Sequence, residues 1–191
     1  MAENDLVWLN DLETALQQAR TEGKGVLLQF HRDDCAGCKK LYALTYADAQ
    51  VRQEMQRWFV LLRADILRDR AIRSRYSAYW TPSFYFLNTR GNMLYSFNGY
   101  LNVEDFRVLL RLGKAALDLP RGRYFEVIDL MDDGLARFPE NPRAATLLLV
   151  RGMAEYLIGK EKSSFRGAMR EILERYPQSL EARMWPWMDE P

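Results

Sequence analysis

The sequence predicts an α/β fold followed by an all-α extension. Three observations carry this. Short apolar runs alternate with helix-period segments over the first 117 residues, a pair of strand-like runs joined by a turn closes that region, and no strand-like run follows Leu119-Pro120-Arg121-Gly122. Strands alternating with helices and ending in a hairpin give a mixed sheet with helices on both faces. The expected division is residues 1–117, a sheet-and-helix unit, and residues 118–191, a helical unit packed on or beside it. The length of 191 residues suits that division, at ~100–200 residues per domain.

The first helix is expected from Asp11 to about Glu22. Leu12, Ala15, Leu16 and Ala19 share one face, and Asn10 with Glu13 forms a start resembling a capping box. Gly23 and Gly25 stop it. Val26-Leu27-Leu28-Gln29-Phe30 reads as a buried central strand, leading through His31-Arg32-Asp33-Asp34 into a helix over residues 35–45. A short helical piece at 51–57 precedes a second buried strand, Phe59 to Asp65, and residues 69–77 read as helical. Pro82 to Leu87 is a strand whose first residue is proline, a permitted position. Asn88-Thr89-Arg90-Gly91 is a turn, Asn92 to Phe97 completes the hairpin, and Asn102 with Asp105 starts a helix to about Ala116. In the extension, residues 124–138, 144–157 and 165–176 read as helices. Arg137-Phe138-Pro139-Glu140-Asn141 is echoed by Arg175-Tyr176-Pro177-Gln178-Ser179 at an offset of 38 residues, near the ~34-residue period of tetratricopeptide helix pairs. Trp185-Pro186-Trp187 is expected to anchor the end of the chain.

Composition narrows the function classes. With 27 Lys+Arg against 26 Asp+Glu the net charge is +1, which argues against bulk electrostatic binding to nucleic acid or an anionic membrane. No apolar run approaches the ~18 residues of a membrane span. The acidic start lacks a signal-peptide pattern, so the chain as given reads as cytoplasmic; a removed signal peptide would make it periplasmic. Two cysteines, Cys35 and Cys38, and one histidine, His31, exclude a disulfide-stapled scaffold and an all-Cys/His tetrahedral zinc site.

The spacing of the two cysteines is the informative part. A Cys-x-x-Cys pair alone could be half a metal site, a buried pair or chance. Here it follows a buried strand and opens a helix, the setting of a redox pair. Thiols at i and i+3 of a helix start can close and reopen a disulfide with little backbone movement. The first lies where unpaired N–H groups and the helix dipole favour a thiolate, and the second is shielded within the turn. Cys35 is therefore expected to attack a partner disulfide and Cys38 to resolve the mixed disulfide.

With these residues in view, positions 7–112 resemble thioredoxin. The resemblance rests on the strand Val26–Phe30, the Cys35-Ala36-Gly37-Cys38-Lys39 motif, Thr81-Pro82 further along, Gly91 in the hairpin turn and Gly99 before the last helix. It is strongest to thioredoxin-like proteins with a segment like Gly23-Lys24-Gly25-Val26-Leu27-Leu28. It implies that Pro82 is cis beside the cysteine pair and that the Thr81 backbone docks an extended substrate segment. It also implies that the redox-active disulfide Cys35–Cys38 serves in place of any metal or organic cofactor. Protein or peptide disulfides and a redox partner would be the partners. Three departures stand out. Asp34 replaces the tryptophan before the first cysteine, Ala36-Gly37 replaces Gly-Pro, and Gln29 replaces the buried aspartate that accepts a proton near the second cysteine. Thr81 before the proline resembles bacterial disulfide isomerases more than cytosolic thioredoxin.

Further residues carry expectations of their own. Asp34 and Asp33 should raise the Cys35 pKa, and Lys39 and Lys40 should lower it. His31 could tune the thiolate, although a plain loop histidine is the simpler reading. Tyr79 and Trp80, with Tyr76, either rim a substrate groove or pack into the core. Arg63, Arg68, Arg70, Arg73 and Arg75 read as a solvated face with local ion pairs. The expected function is a thiol–disulfide oxidoreductase of undecided direction. The alternative is a protein-binding module or redox sensor in which the helical extension recognises a partner.

Overall fold

The apolar run from Gly25 to His31 is strand β2, at the centre of a five-stranded sheet; a computed structural model describes residues 6–184. The elements in order are β1 (Trp8–Leu9), α1 (Leu12–Glu22), β2 (Gly25–His31), α2 (Ala36–Lys40), a π-helical turn (Leu41–Thr45), α3 (Ala49–Trp58), β3 (Phe59–Asp65), α4 (Arg70–Arg75), β4 (Ser83–Leu87), β5 (Met93–Asn98) and α5 (Val103–Asp118). A 3-10 turn (Leu119–Arg121) leads to α6 (Tyr124–Arg137), α7 (Ala144–Gly159), α8 (Lys162–Arg175) and α9 (Leu180–Arg183). The sheet order is β1-β3-β2-β4-β5, with β1, β3 and β2 parallel and β4 and β5 antiparallel. This is the mixed, helix-flanked sheet the alternating pattern predicts.

Burial on both faces explains why the inner strands read as unbroken apolar runs. Leu27, Leu61, Phe84 and Phe86 point to one face, where Met55 of α3 and Phe106, Leu109 and Leu110 of α5 cover them. Val26, Leu28, Phe30, Leu62 and Tyr85 point to the other, against Ala15, Leu16 and Ala19 of α1. Successive side chains alternate sides, so one strand feeds two cores.

The chain divides into two compact units, Met1–Leu117 and Asp118–Pro191. Within the second, α7 packs against α6 and α8. The sequence echo has a backbone counterpart. Helices α6 and α8 end at Phe138 and Tyr176 with φ/ψ of −132°/51° and −131°/52°. In both, the N–H of the capping residue donates to the carbonyl four residues back. No described helix is long and apolar enough to cross a membrane. The expected Trp185-Pro186-Trp187 anchor lies outside the described residues.

Three local expectations are corrected. The cap of α1 is Asp11 rather than Asn10, because the Asp11 carboxylate accepts from both the Thr14 N–H (2.8 Å) and its hydroxyl (2.6 Å). The helix expected over 35–45 is an α-helical turn and then a π-helical one, closed by the Tyr46 N–H on the Leu41 carbonyl. The two-residue strand β1 was not expected, being too short to carry a period.

Candidate functional site

Strand β2 ends at His31, and the loop after it delivers Cys35 to the cap of α2. Cys35 has extended φ/ψ (−79°/111°), and its sulfur accepts the Cys38 N–H at 3.1 Å. This is the position where a helix leaves backbone donors unpaired. Both cysteines are free thiols. Cys38 is fully buried, whereas Cys35 is 7% exposed and borders a groove of about 400 Å³.

The two thiols are unequal acids. Burial pushes the Cys35 thiol up. Hydrogen bonds from the Cys38 thiol, the Thr81 hydroxyl and the N–H groups of Cys38 and Gly37 outweigh it and hold Cys35 below its ordinary value. Burial pushes Cys38 up to about 12, reinforced by the Cys35 sulfur it faces. The Thr81 hydroxyl reaches both sulfurs, so Thr81 meets the pair through its side chain.

Pro82 closes the site from the neighbouring strand, and the Thr81–Pro82 bond is cis. A Cβ built on Gly37 would stand 3.0 Å from Pro82 Cδ, so a side chain at the second residue between the cysteines would press on the proline ring. Tyr79 and Trp80 are 72% and 58% exposed and line the groove beside Cys35, together with Ile66, Leu67 and Arg73. They therefore rim the groove rather than pack into the core. Tyr76, by contrast, is buried, its hydroxyl donating to the Gly91 carbonyl at 2.9 Å.

The charged residues expected to tune Cys35 are occupied elsewhere. Asp34 pairs with Arg32, and Asp33 pairs with Arg68 at 3.3 Å. Lys39 is exposed, and Lys40 lies 4.6 Å from the centre of the Tyr100 ring. His31 stands opposite Asp65 in the β2–β3 register. Burial and Arg63 hold its imidazole below the ordinary value, against the opposing pull of Asp65, Asp33 and Asp69. The arginines disperse as well. Arg63 covers Trp8 and Tyr42, Arg73 donates to the Ala78 and Ile66 carbonyls, and Arg75 lies over Tyr76.

Gln29 is fully buried behind the pair. Its Nε2 donates to Tyr42 Oη at 3.2 Å, and its Oε1 accepts from Tyr46 Oη at 2.9 Å. Sequence reasoning missed Tyr42 and the placement of Arg63 here. Tyr42 was findable, since it follows Cys38 by four residues and so shares its helix face. Arg63 was not, because only the strand register sets it opposite Gln29.

Residues 12–114 match the family model described as thioredoxin-like domain. The chain is 32% identical over 108 residues to a thiol:disulfide interchange protein DsbD of Ralstonia nicotianae, covering 54% of this chain and 18% of that protein. It is 38% identical over 61 residues to the Vibrio cholerae protein of the same name, covering 32% and 10%. The chain thus spans less than a fifth of the length of these relatives. Among solved structures it is similar to a thioredoxin from Thermus thermophilus, with TM-score 0.51 and 23% identity, over 56% of this chain and 85% of that one. A putative disulphide-isomerase from Bacteroides thetaiotaomicron matches with TM-score 0.51 and 24% identity, over 56% and 90%.

Proposed function

This chain belongs to the thioredoxin-like domain family, and on that footing we propose that it exchanges disulfides with protein or peptide substrates through Cys35 and Cys38. The Cys35 thiolate attacks one sulfur of a substrate disulfide. A Cys35–substrate bond forms, the substrate's own S–S bond breaks, and the leaving thiolate takes a proton from solvent. Cys38 then gives up its proton and attacks the Cys35 sulfur. The Cys35–Cys38 disulfide forms, and the second substrate sulfur leaves as a thiol. Two electrons pass from the pair to the substrate, and the reverse sequence donates a disulfide.

The observation that carries this reading is the inequality of two thiols one turn apart. The acidic one faces a groove, and the one pushed up to about 12 is buried beneath it. Thiolate fraction and access decide which sulfur attacks. The Thr81 backbone offers an edge for an extended substrate segment, with Tyr79 and Trp80 as apolar contacts beside it. The pair itself is the electron carrier, and a second redox protein returns it to its starting state. Of the two compartments expected from the sequence, the disulfide-interchange relatives favour the periplasmic one.

Insulin reduction by the whole chain in the presence of dithiothreitol tests this. Wild type should reduce insulin well above background, and Cys35→Ser should fall to background. Cys38→Ala should accumulate mixed disulfides with substrate. Wild-type activity equal to that of Cys35→Ser would end the exchange reading and leave partner binding as the chain's role. Equilibration of the pair with glutathione then gives the direction of net transfer.

A further inference from the structure

The second unit holds a cleft of its own. Helices α7 and α8 approach closely where Gly152 faces Ala168, a Cβ on Gly152 standing 2.4 Å from the Ala168 Cβ. Nearer the loop that joins the two helices, the facing residues are large. Tyr156 and Phe165 meet edge to face, with ring centres 6.3 Å apart. An apolar cleft of about 550 Å³ opens here, walled by Met153, Tyr156 and Leu157 of α7, Phe165 of α8 and Leu119 of the 3-10 turn.

Positive charge lines the same cleft. Lys162 and Arg166, four residues apart on one face of α8, complete its wall. Both are exposed, and among the described residues neither meets a carboxylate. The acids nearby are engaged or turned aside: Glu155 pairs with Arg151 at 3.3 Å, and Glu161 lies back against Gly159. Lys160 adds a third cation, its Nζ 5.7 Å from the centre of the Tyr156 ring. Like charges four residues apart, and a lysine in the first turn of a helix, both weigh against α8 on its own. An anion between the two side chains would offset both. The size of the cleft limits what the anion belongs to. Its walls span one turn of each helix, residues 153–157 and 162–166, or ~6 Å of axis. A docked helix is read through anchors at i, i+3 or i+4, and i+7, over ~10 Å, so the cleft is too short for one. Its volume falls within the ~300–1,000 Å³ of small-molecule sites.

We propose that this cleft binds a single-chain amphiphile with one acid group, a fatty-acid-like carboxylate. Its hydrocarbon chain lies against Met153, Leu157 and Phe165, and its carboxylate sits between Lys162 and Arg166. Burial of the chain supplies affinity, and the two cations select the charge of the head group. The site uses no residue of the cysteine pair or its groove, so it stands whether or not the chain exchanges disulfides.

Isothermal titration of the full-length chain with decanoate, below its micelle threshold, tests this. Binding should saturate at about one equivalent, the single cleft being one site. Octanoate should bind about tenfold more weakly, as expected for loss of two buried methylenes. A chain carrying both Lys162→Glu and Arg166→Glu should lose about tenfold or more in decanoate affinity and gain affinity for decylammonium, because the charge-assisted hydrogen bonds reverse their sign. Both side chains are exposed, so its urea unfolding curve should stay that of wild type. Heats that never saturate, or a decanoate affinity untouched by the charge reversal, would overturn the proposal. Binding confined to phosphatidylglycerol vesicles would overturn it too, making the cleft a membrane contact. So would self-association of the chain that the reversal abolishes while decanoate leaves it unchanged, which would assign the cleft to a second copy.

Discussion

At Cys35 the opposing influences are burial and four hydrogen bonds, and the hydrogen bonds win. Iodoacetamide alkylation should therefore titrate Cys35 with a midpoint below the ordinary thiol value of 9.0, whereas Cys38 in a Cys35→Ser chain should stay unreactive until strongly alkaline pH. Coincident midpoints would contradict the inequality on which the site depends. The expected electrostatic brake from Asp34 and Asp33 is weakened because each carboxylate has an arginine partner at the surface. Asp34→Asn should accordingly shift the Cys35 midpoint by no more than about half a pH unit, since exposed charge pairs are worth ~0–1 kcal/mol. A shift of a full unit would restore the simpler electrostatic picture. The cysteine pair was legible in the sequence because it depends on local spacing, while the same spacing leaves Tyr79 and Trp80 open between groove and core. The Arg68 partner of Asp33 was not legible, because it reaches across 35 residues of chain.

Among elements, the tie between α3 and α5 is the least replaceable. Glu54 of α3 accepts from Arg107 (2.7 and 3.1 Å) and from Arg111 (3.0 Å) of α5, and Arg111 is 2% exposed. Glu54→Ala would leave two guanidinium groups without their carboxylate and should cost about 3–5 kcal/mol in urea unfolding. A loss below about 1 kcal/mol would show that water replaces the carboxylate. In the helical unit, a Cβ on Gly152 of α7 would come within 2.4 Å of the Ala168 Cβ of α8. Gly152→Val should destabilise that packing by about 1–3 kcal/mol, while an unchanged unfolding curve would mean that the helices separate at little cost. The strands were the most legible elements: the apolar run predicted Phe59–Asp65 at both ends. The π-helical turn was not legible, since hydrophobic periodicity cannot register one extra residue within a helix.

For the whole molecule, the raised thiol and phenol make stability depend on pH and on redox state. Cys38, at about 12 when folded, retains a proton that an unfolded chain releases near 9.0. Stability is therefore full below pH 9.0 and falls as pH rises towards 12, with Tyr42 adding to the loss above its ordinary 10.0. Cys35, shifted down, acts in the other direction. Its contribution is present above pH 9.0 and lost as pH falls through its folded value, so it adds no slope above pH 9.0. In the disulfide form neither thiol titrates. Between pH 9 and 10.5 the dithiol form should lose about 1–2 kcal/mol more than the disulfide form in urea unfolding, one pH unit of a fully differential group being worth ~1.4 kcal/mol. Equal losses in the two forms would mean that Cys38 ionises without resistance. The two-unit organisation was legible as a change of pattern near Gly122, and the echo at Phe138 and Tyr176 as two segments sharing an arginine, an aromatic residue and a proline in order. Of the buried polar residues behind Cys38, Gln29 and Tyr42 lay within reach of the sequence, but Arg63 did not, because only the strand register sets it opposite Gln29.

The π-helical turn lets the site absorb a change of chain length. Leu44, 53% exposed, lies inside it. The turn holds one residue more than α-helical bonding needs, because the Tyr46 N–H reaches back five residues to the Leu41 carbonyl. Deleting the Leu44 codon would put the same two groups four residues apart, as in an ordinary α-helix, and Tyr46 would keep its facing toward Gln29. An in-frame deletion at this one position should thus leave exchange standing, whereas deleting a residue of α2 would turn everything after it by ~100° about the axis.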